Sequence, residues 1–153
     1  MTLQTDLKVL LRSLRSTVKL MTCPFCEPKQ RVLKENERAY VMLSNPRKVE
    51  GHFLVIPKRH IEAPWEMGPE EVQDVFELIS FVQQKLVNGF AQGSDVRQHH
   101  RPFLKESRTK VNHVHYQILP RMFQDTLHQH NTEDKLWGDL PQEEHDRIAK
   151  LLD

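Results

Sequence analysis

The chain has 153 residues, of which 38% are hydrophobic and 28% are charged, and its formal net charge is +1 at pH 7. This length suits one ordinary domain with a core of its own. A net charge so close to zero argues against a protein that coats nucleic acid polymers, because that role needs a broad excess of cationic side chains. Any cationic contact with a phosphate must therefore be local.

The sequence has no apolar run that approaches the roughly 18–20 residues needed to cross a bilayer, so we expect no membrane partner. Residues 1–20 carry an apolar stripe that Lys and Arg interrupt, without a small-residue cleavage site, which argues against a secretory signal. These features predict a cytoplasmic protein.

The first elements in chain order are a helix and several short strands. Residues 3–20 place leucines at helical spacing and predict an amphipathic helix. Short extended runs follow at 31–34, 39–43 and 52–57, and the turn-like SNPRKVEG separates the last two.

The clearest helix of the chain is predicted over residues 69–90. Pro69 suits the first turn, and Glu70 and Glu71 favour the positive end of the helix dipole. Apolar residues recur on one face, and glycines follow the last turn.

The remaining segments complete an α+β pattern. The polar and basic stretch 94–112 is typical of a loop or an irregular strand edge, and VNHVHYQILP (111–120) predicts a strand that ends at a proline. A short helix is expected over 141–152. Helix, strands, long helix and strand follow one another without βαβ regularity, so we expect an α+β fold with an antiparallel sheet.

Three polar residues in the last predicted strand are candidates for chemistry. Side chains alternate along a strand, so His113, His115 and Gln117 share one face at a spacing of roughly 6.5–7 Å. The intervening apolar residues can pack on the core and leave the polar row in a cleft. A His-x-His pattern alone is equally typical of a solvated strand face.

The two cysteines of the chain, Cys23 and Cys26, form one CxxC motif. This spacing suits two metal ligands or a redox disulfide. CPFC resembles the redox motif of a glutaredoxin, but that fold also needs a βαβ continuation and a later proline facing the thiols, and neither appears in the sequence.

Taken together, these motifs resemble the histidine triad superfamily. The resemblance runs from about Cys23 to Arg121 and consists of the CxxC, a GHFLVIPKRH strand (51–60), a long helix and HVHYQILPR (113–121). The third triad position is Gln117. This resembles the branch of galactose-1-phosphate uridylyltransferase and the diadenosine tetraphosphate phosphorylases.

The resemblance implies a nucleotidyl transferase or hydrolase that acts on nucleoside phosphoryl compounds. It makes His115 the nucleophile, with a nucleotidyl-histidine intermediate, and a neutral imidazole is a competent nucleophile for phosphorus. Gln117 can donate an amide N–H to a phosphoryl oxygen but has no titratable proton. The alternative is a nucleotide-binding protein with little turnover, since the stretch 95–112 lacks the Gly-rich sequence common in the family.

The resemblance also implies a zinc site. Its ligands would be Cys23, Cys26, His60 and His113, a set that suits a closed, structural Zn²⁺ site. The competing interpretation is that the two histidines are surface imidazoles and the thiols are free.

Candidate phosphate-binding residues lie in or beside the motifs: Lys58, Lys110, Asn112 and Arg121, with Arg59, Arg97 and Arg101 as further possibilities. Five other histidines are interpreted as surface residues: His99, His100, His128, His130 and His145. His52 is ambiguous, since family members carry a histidine there without a catalytic role.

These interpretations divide the chain into three parts. We expect a helical extension over 1–22, a histidine-triad-like catalytic domain over 23–122, and a tail over 123–153 that packs on the same single domain. The resemblance also implies a homodimer.

Overall fold

The computed structural model describes residues 23–127 and 140–144. Within residues 23–122, five strands form one antiparallel sheet in the order β1-β2-β3-β5-β4. The strands are β1 (Lys34–Glu35), β2 (Ala39–Leu43), β3 (Phe53–Pro57), β4 (Gly93–Gln98) and β5 (Tyr116–Arg121). One long helix, α1 (Pro69–Gly89), connects β3 to β4. The predicted α+β fold with an antiparallel sheet is confirmed.

The Glu71 side chain caps the first turn of α1. The Gly68 N–H donates to the carboxylate of Glu71 over 2.9 Å, and Arg59 donates to both oxygens of that carboxylate over 2.8 Å each. This contact satisfies one backbone N–H at the helix start and places negative charge at the positive dipole end. The apolar face of α1 is buried against the sheet through Val75, Leu78, Ile79, Val82 and Leu86.

The two faces of the sheet bury different clusters. Val41, Val55 and Ile118 face α1, because alternate residues of each strand point to the same side. The opposite face carries a second cluster of Cys23, Phe25, Tyr40, Met42, Leu54 and Ile56. The Tyr40 hydroxyl donates to the Phe25 carbonyl over 2.6 Å and so fixes the CPFC turn on this face.

Gly51 ends the turn that leads into β3. Its φ of 72° lies in the left-handed region, and a Cβ there would stand 2.7 Å from the Phe90 ring. Both constraints favour glycine at the start of the GHFLVIP motif.

Two segments differ from the sequence expectation in their extent. The sequence predicts a loop or an irregular strand edge over 94–112. Residues 94–98 belong to the edge strand β4, and the rest is loop with one isolated bridge. The strand expected over 111–120 begins only at Tyr116. The preceding residues leave the sheet, and the Val114 N–H donates to the Ile61 carbonyl over 2.7 Å instead.

The second compact unit (Phe123–Asp153) is helical at 142–144. The helix expected over 3–20 and most of the helix expected over 141–152 lie outside the described residues. In the part of the chain that the structure describes, no helix combines the length and apolar character that crossing a membrane requires.

Candidate active site

A cavity of about 600 Å³ lies on the sheet face opposite α1. Part of its lining is a row of paired residues, Met42 on β2, Leu54 on β3 and Gln117 on β5. Directly paired residues of neighbouring strands point to the same face, so strand register alone brings these three together. The same alternation turns Tyr116 and Ile118 toward α1. The expected division into a polar and an apolar face therefore holds for Tyr116, Gln117 and Ile118 of β5, whereas His113 and His115 precede the strand.

Three loop segments form the walls of the cavity. The CPFC turn contributes Phe25, the turn between β2 and β3 contributes Lys48, and the segment after β4 contributes His99 and Thr109. These segments are far apart in the chain, and the sheet brings their ends together.

The cavity lining is cationic and, among the described residues, contains no Asp or Glu. Its cations are Arg31, Arg47, Lys48, Arg101 and Arg108. The pKa of Lys48 lies below its ordinary value, because partial burial and the Arg97 and Arg101 guanidinium groups disfavour its charge. A concave site lined by charges of one sign attracts the opposite charge. The cavity therefore suits a polyanionic ligand such as a phosphate compound.

His115 lines this cavity with one ring nitrogen already engaged. Its Nδ1–H donates to the His113 carbonyl over 2.7 Å, and since a carbonyl only accepts, the lone pair of the neutral ring is on Nε2. Burial lowers the pKa of His115, the backbone hydrogen bond opposes this effect, and the Lys110 ammonium adds to it. A neutral imidazole with a free Nε2 is the nucleophilic form at pH 7.

Gln117 contacts a histidine that the sequence did not single out for chemistry. Its Nε2 lies 3.3 Å from Nδ1 of His99, which is half-buried and lines the cavity. The interpretation of His99 as a surface residue is therefore wrong, because the segment after β4 folds back over the sheet. The neighbouring His100 is exposed as expected, with its ring against Trp65. His128, His130 and His145 lie outside the described residues.

His52, ambiguous in the sequence, is a buried member of the cavity lining. Its Nδ1 accepts from the Lys48 N–H over 3.2 Å, so Nε2 carries the proton of the neutral ring. Burial above all, with Lys48 and His115, lowers its pKa to about 4. Nε2 of His52 makes no hydrogen bond within the described chain. The Gln117 amide acts in the opposite direction to burial and raises the pKa of His52.

Beside the cavity, four side chains converge on one point: Cys23, Cys26, His60 and His113. Their donor atoms lie within 4.8 Å of one another. Cys23 Sγ is 3.4 Å from Nδ1 of His113, and Cys26 Sγ is 3.3 Å and 3.7 Å from Nδ1 of His60 and His113. Sulfur and nitrogen ligands of one tetrahedral zinc ion stand about 3.5 Å apart at ordinary bond lengths. The cluster can bind a metal ion, and its geometry fits zinc.

The surroundings of this cluster orient both imidazoles toward the thiols. The His113 Nε2–H donates to the Pro57 carbonyl over 2.8 Å, and His60 Nε2 lies 3.4 Å from Glu62 Oε1. Such outer contacts direct Nδ1 of each ring toward the thiols, which is the orientation that a metal ligand needs. Both cysteines are free thiols. Burial and the adjacent Cys23 thiol raise the pKa of Cys26 to about 12, so its thiolate is disfavoured. A bound cation would stabilise the thiolate and lower this pKa.

Two of the candidate phosphate ligands lie outside the cavity lining. Lys58 Nζ pairs with Glu35 over 2.7 Å, and Arg121 pairs with Asp95 on β4. Arg97 pairs with the same Asp95 carboxylate.

The other two, Lys110 and Asn112, hydrogen-bond to each other through their side chains. They line a smaller cavity of about 130 Å³ together with His99 and His113. The charge of Lys110 reaches His115 and lowers its pKa, so this pair lies close to the nucleophile candidate.

The sequence did not point to most of the cationic lining. Arg47 and Lys48 lie in SNPRKVEG, immediately before the GHFLVIP motif, and that proximity was the available signal. Arg31 follows the CPFC motif and Arg108 precedes the HVHYQILPR motif. Neither belongs to a pattern of its own, so only the fold assigns them to the cavity.

A family profile and a related sequence both match the HIT family. The profile of the HIT domain matches residues 26–124. An uncharacterized HIT-like protein from Methanocaldococcus jannaschii is 34% identical over 106 residues, which is 65% of this chain and 78% of that protein.

Solved structures share the fold. A hypothetical protein from Leishmania major superposes with a TM-score of 0.65 at 23% identity, covering 87% of this chain and 94% of that chain. A Plasmodium falciparum diadenosine triphosphate hydrolase gives 0.57 at 22% identity, covering 71% and 74%. A Zn-bound histidine triad family protein from Mycobacterium smegmatis gives 0.54 at 26% identity, covering 70% and 80%.

Proposed function

The chain belongs to the HIT domain family, and on that premise we propose that it is a nucleotidyl transferase or hydrolase with His115 as its nucleophile. Family membership supports processing of nucleotides in general. The observation that carries the proposal is the orientation of His115, whose Nε2 lone pair is directed into a cationic cavity with no carboxylate in its described lining. Gln117 at the third triad position supports the transferase branch in particular.

In the first step, Nε2 of His115 forms a bond to the α-phosphorus while the bond from phosphorus to the leaving group breaks. The electron pair of that bond goes to the leaving oxygen. Negative charge on the non-bridging oxygens is stabilised by the cavity cations and by an amide N–H of Gln117. In the second step, water, phosphate or another acceptor attacks the nucleotidyl-histidine and restores the Nε2 lone pair.

Zinc is the metal that we propose for the Cys23, Cys26, His60 and His113 cluster. The donor set and separations support it, and the M. smegmatis structure is an example of a Zn-bound relative. Four protein ligands close such a site, so the ion contributes folding energy and no step of the reaction.

The nucleophile can be tested by removing its ring. We expect His115→Gly to lower turnover of a nucleoside 5′-(4-nitrophenyl phosphate) by about 10³-fold or more, because no other group replaces Nε2. Added imidazole should restore part of the rate by occupying the vacated space. His100→Asn is the matched control, since this exposed imidazole lies outside the main cavity.

Two measurements decide the outcome. Labelling that is stable in base and labile in acid, seen in the wild type but not in His115→Gly at similar melting temperatures, would support the covalent mechanism. Substantial turnover by His115→Gly would contradict it. Protection of the wild type from thermal unfolding by nucleotides, without any turnover, would instead identify a nucleotide-binding protein.

The homodimer and the cytoplasmic location expected from the sequence stay predictions, as does the division into 1–22, 23–122 and 123–153. Sedimentation of the purified chain would test the first of these.

A further inference from the structure

The proposed reaction needs a proton for the leaving group, and Gln117 cannot supply one. An alkoxide or phenoxide leaves phosphorus slowly unless an acid protonates the departing oxygen. An amide N–H donates a hydrogen bond but does not titrate near pH 7. For such leaving groups another residue in the cavity is needed to provide the proton, an inference that rests on the proposed function.

Three imidazoles are found in the described cavity lining: His52, His99 and His115. His115 is committed to phosphorus. His52 is 4% exposed and its ring is anchored by the Lys48 N–H. His99 is the more accessible of the remaining two, and because its Nδ1 faces Gln117, its Nε2 is the nitrogen that can reach a substrate.

We propose that His99 is a catalytic residue that protonates the leaving group and then deprotonates the acceptor. As the bond from phosphorus to the leaving oxygen breaks, the proton on His99 Nε2 moves to that oxygen and the imidazolium becomes neutral. When water attacks the nucleotidyl-histidine, Nε2 of His99 takes a proton from it. The bond between phosphorus and His115 then breaks, and His99 is ready for the next cycle.

The charges around His99 connect its protonation to substrate binding. In the free protein, burial lowers the pKa of His99, and so do Arg101, Lys48, His115 and Arg97. Arg101 and Lys48 also line the cavity and are therefore available to bound phosphates. A bound polyanion offsets their charge and favours the imidazolium. The acid thus forms when its substrate is present.

Gln117 adjusts to this change. In the structure its Nε2 faces Nδ1 of neutral His99. Once Nδ1 is protonated it needs an acceptor, which the Gln117 amide provides after it turns its oxygen toward His99. The same amide can therefore donate to neutral His99 and accept from its protonated form.

The experiment is a leaving-group series of nucleoside 5′-aryl phosphates, from 4-nitrophenyl to unsubstituted phenyl. Single-turnover rates are measured for the wild type, His99→Asn, His99→Gln and the control His100→Asn. A nitrophenolate leaves without help, whereas phenolate needs the proton. We expect both His99 variants to lose about 100-fold or more on the phenyl ester and only a few-fold on the nitrophenyl ester. The wild type and His100→Asn should depend weakly on the leaving group.

The outcomes separate this inference from the proposed function. An equal loss on every ester, or no loss, in the His99 variants would overturn the role of His99 and leave the nucleophile intact. Absence of turnover and labelling in the wild type would overturn both. His99→Gln carries its amide on a longer side chain than His99→Asn, so it gives a second comparison if the thermal stability of His99→Asn is reduced.

Discussion

His113 and His115 lie two residues apart, and backbone carbonyls hold their imidazoles in opposite tautomers. The Nε2–H of His113 donates to the Pro57 carbonyl, so its Nδ1 faces the thiols. The Nδ1–H of His115 donates to the His113 carbonyl, so its lone pair is on Nε2. Strand alternation alone could not distinguish the two imidazoles. The two rings differ because each has a different nitrogen hydrogen-bonded to a backbone carbonyl.

At the same scale, Gln117→His should change the lifetime of the intermediate. A second titratable group beside phosphorus can activate the acceptor, so we expect less labelled nucleotide trapped on this variant than on the wild type. Denaturation at alkaline pH after a short incubation with a radiolabelled substrate measures the trapped fraction, because the bond between phosphorus and the histidine nitrogen is stable in base. Gln117→Asn is the matched control and should trap as much as the wild type, because an amide replaces an amide. Equal trapping in the wild type and Gln117→His would mean that position 117 does not govern the partition between transfer and hydrolysis.

Among the elements, those with a strong local pattern could be predicted from the sequence. Helix 69–90 and strand 39–43 appear as Pro69–Gly89 and Ala39–Leu43, because their apolar periodicity matches the burial they achieve. β4 carries Ser, Asp, Arg and Gln and has no clear alternation, so its pairing with β5 decides its structure.

The site could be predicted where its residues lie in compact motifs, and not elsewhere. The metal ligands implied by the family resemblance come together as one cluster. The side chains of His115 and Gln117, two residues apart in one motif, line one cavity. His99 and Arg101 reach that cavity through the path of the loop after β4. No local pattern specifies such a path, so only the fold places these residues in the lining, although the basic stretch 94–112 already made Arg101 a possible phosphate contact.

The start of α1 gives a prediction at the scale of an element. The Arg59 side chain, above all, and the Gly68 N–H lower the pKa of Glu71 from an ordinary value of 4.5 to about 2. A depressed pKa means that the stabilisation is complete above about pH 4.5 and is lost as the pH falls toward 2. Glu71→Gln should therefore cost about 1 kcal/mol at pH 7, a value reduced by the exposure of Arg59, and nothing near pH 2.

Urea unfolding of Glu71→Gln and the wild type at pH 7, 4 and 2.5 measures this difference. Glu70→Gln is the control, because this neighbouring carboxylate is exposed and pairs only with Arg38 among the described ion pairs. It should change the free energy of unfolding by less than about 0.5 kcal/mol. A difference between Glu71→Gln and the wild type that stays constant down to pH 2.5 would contradict the assigned role of the carboxylate.

For the whole molecule, the metal cluster joins segments that are far apart in the chain. The CPFC turn, the end of the PKRH segment and the approach to β5 each contribute ligands. Phe25, between the two cysteines, has its ring 5.2 Å from that of His115 and 5.9 Å from that of His113. Metal binding would therefore hold one wall of the cavity against His115, so the stability of the fold and the shape of the site would depend on the same contacts.

Zinc should therefore co-purify at about one ion per chain, and its loss should weaken the fold. A ligand set of this kind forms only in the folded state, so the free energy of metal binding is also free energy of folding. We expect Cys23→Ser to lose most of the metal and to lower the melting temperature by more than about 10 °C. His100→Asn, which removes an imidazole outside the cluster, should keep both the metal and the melting temperature. Elemental analysis and thermal unfolding in matched buffers measure these effects. Freshly purified wild type without metal, and with Cys23 and Cys26 in a disulfide, would contradict the zinc site and would favour a redox role for the thiols.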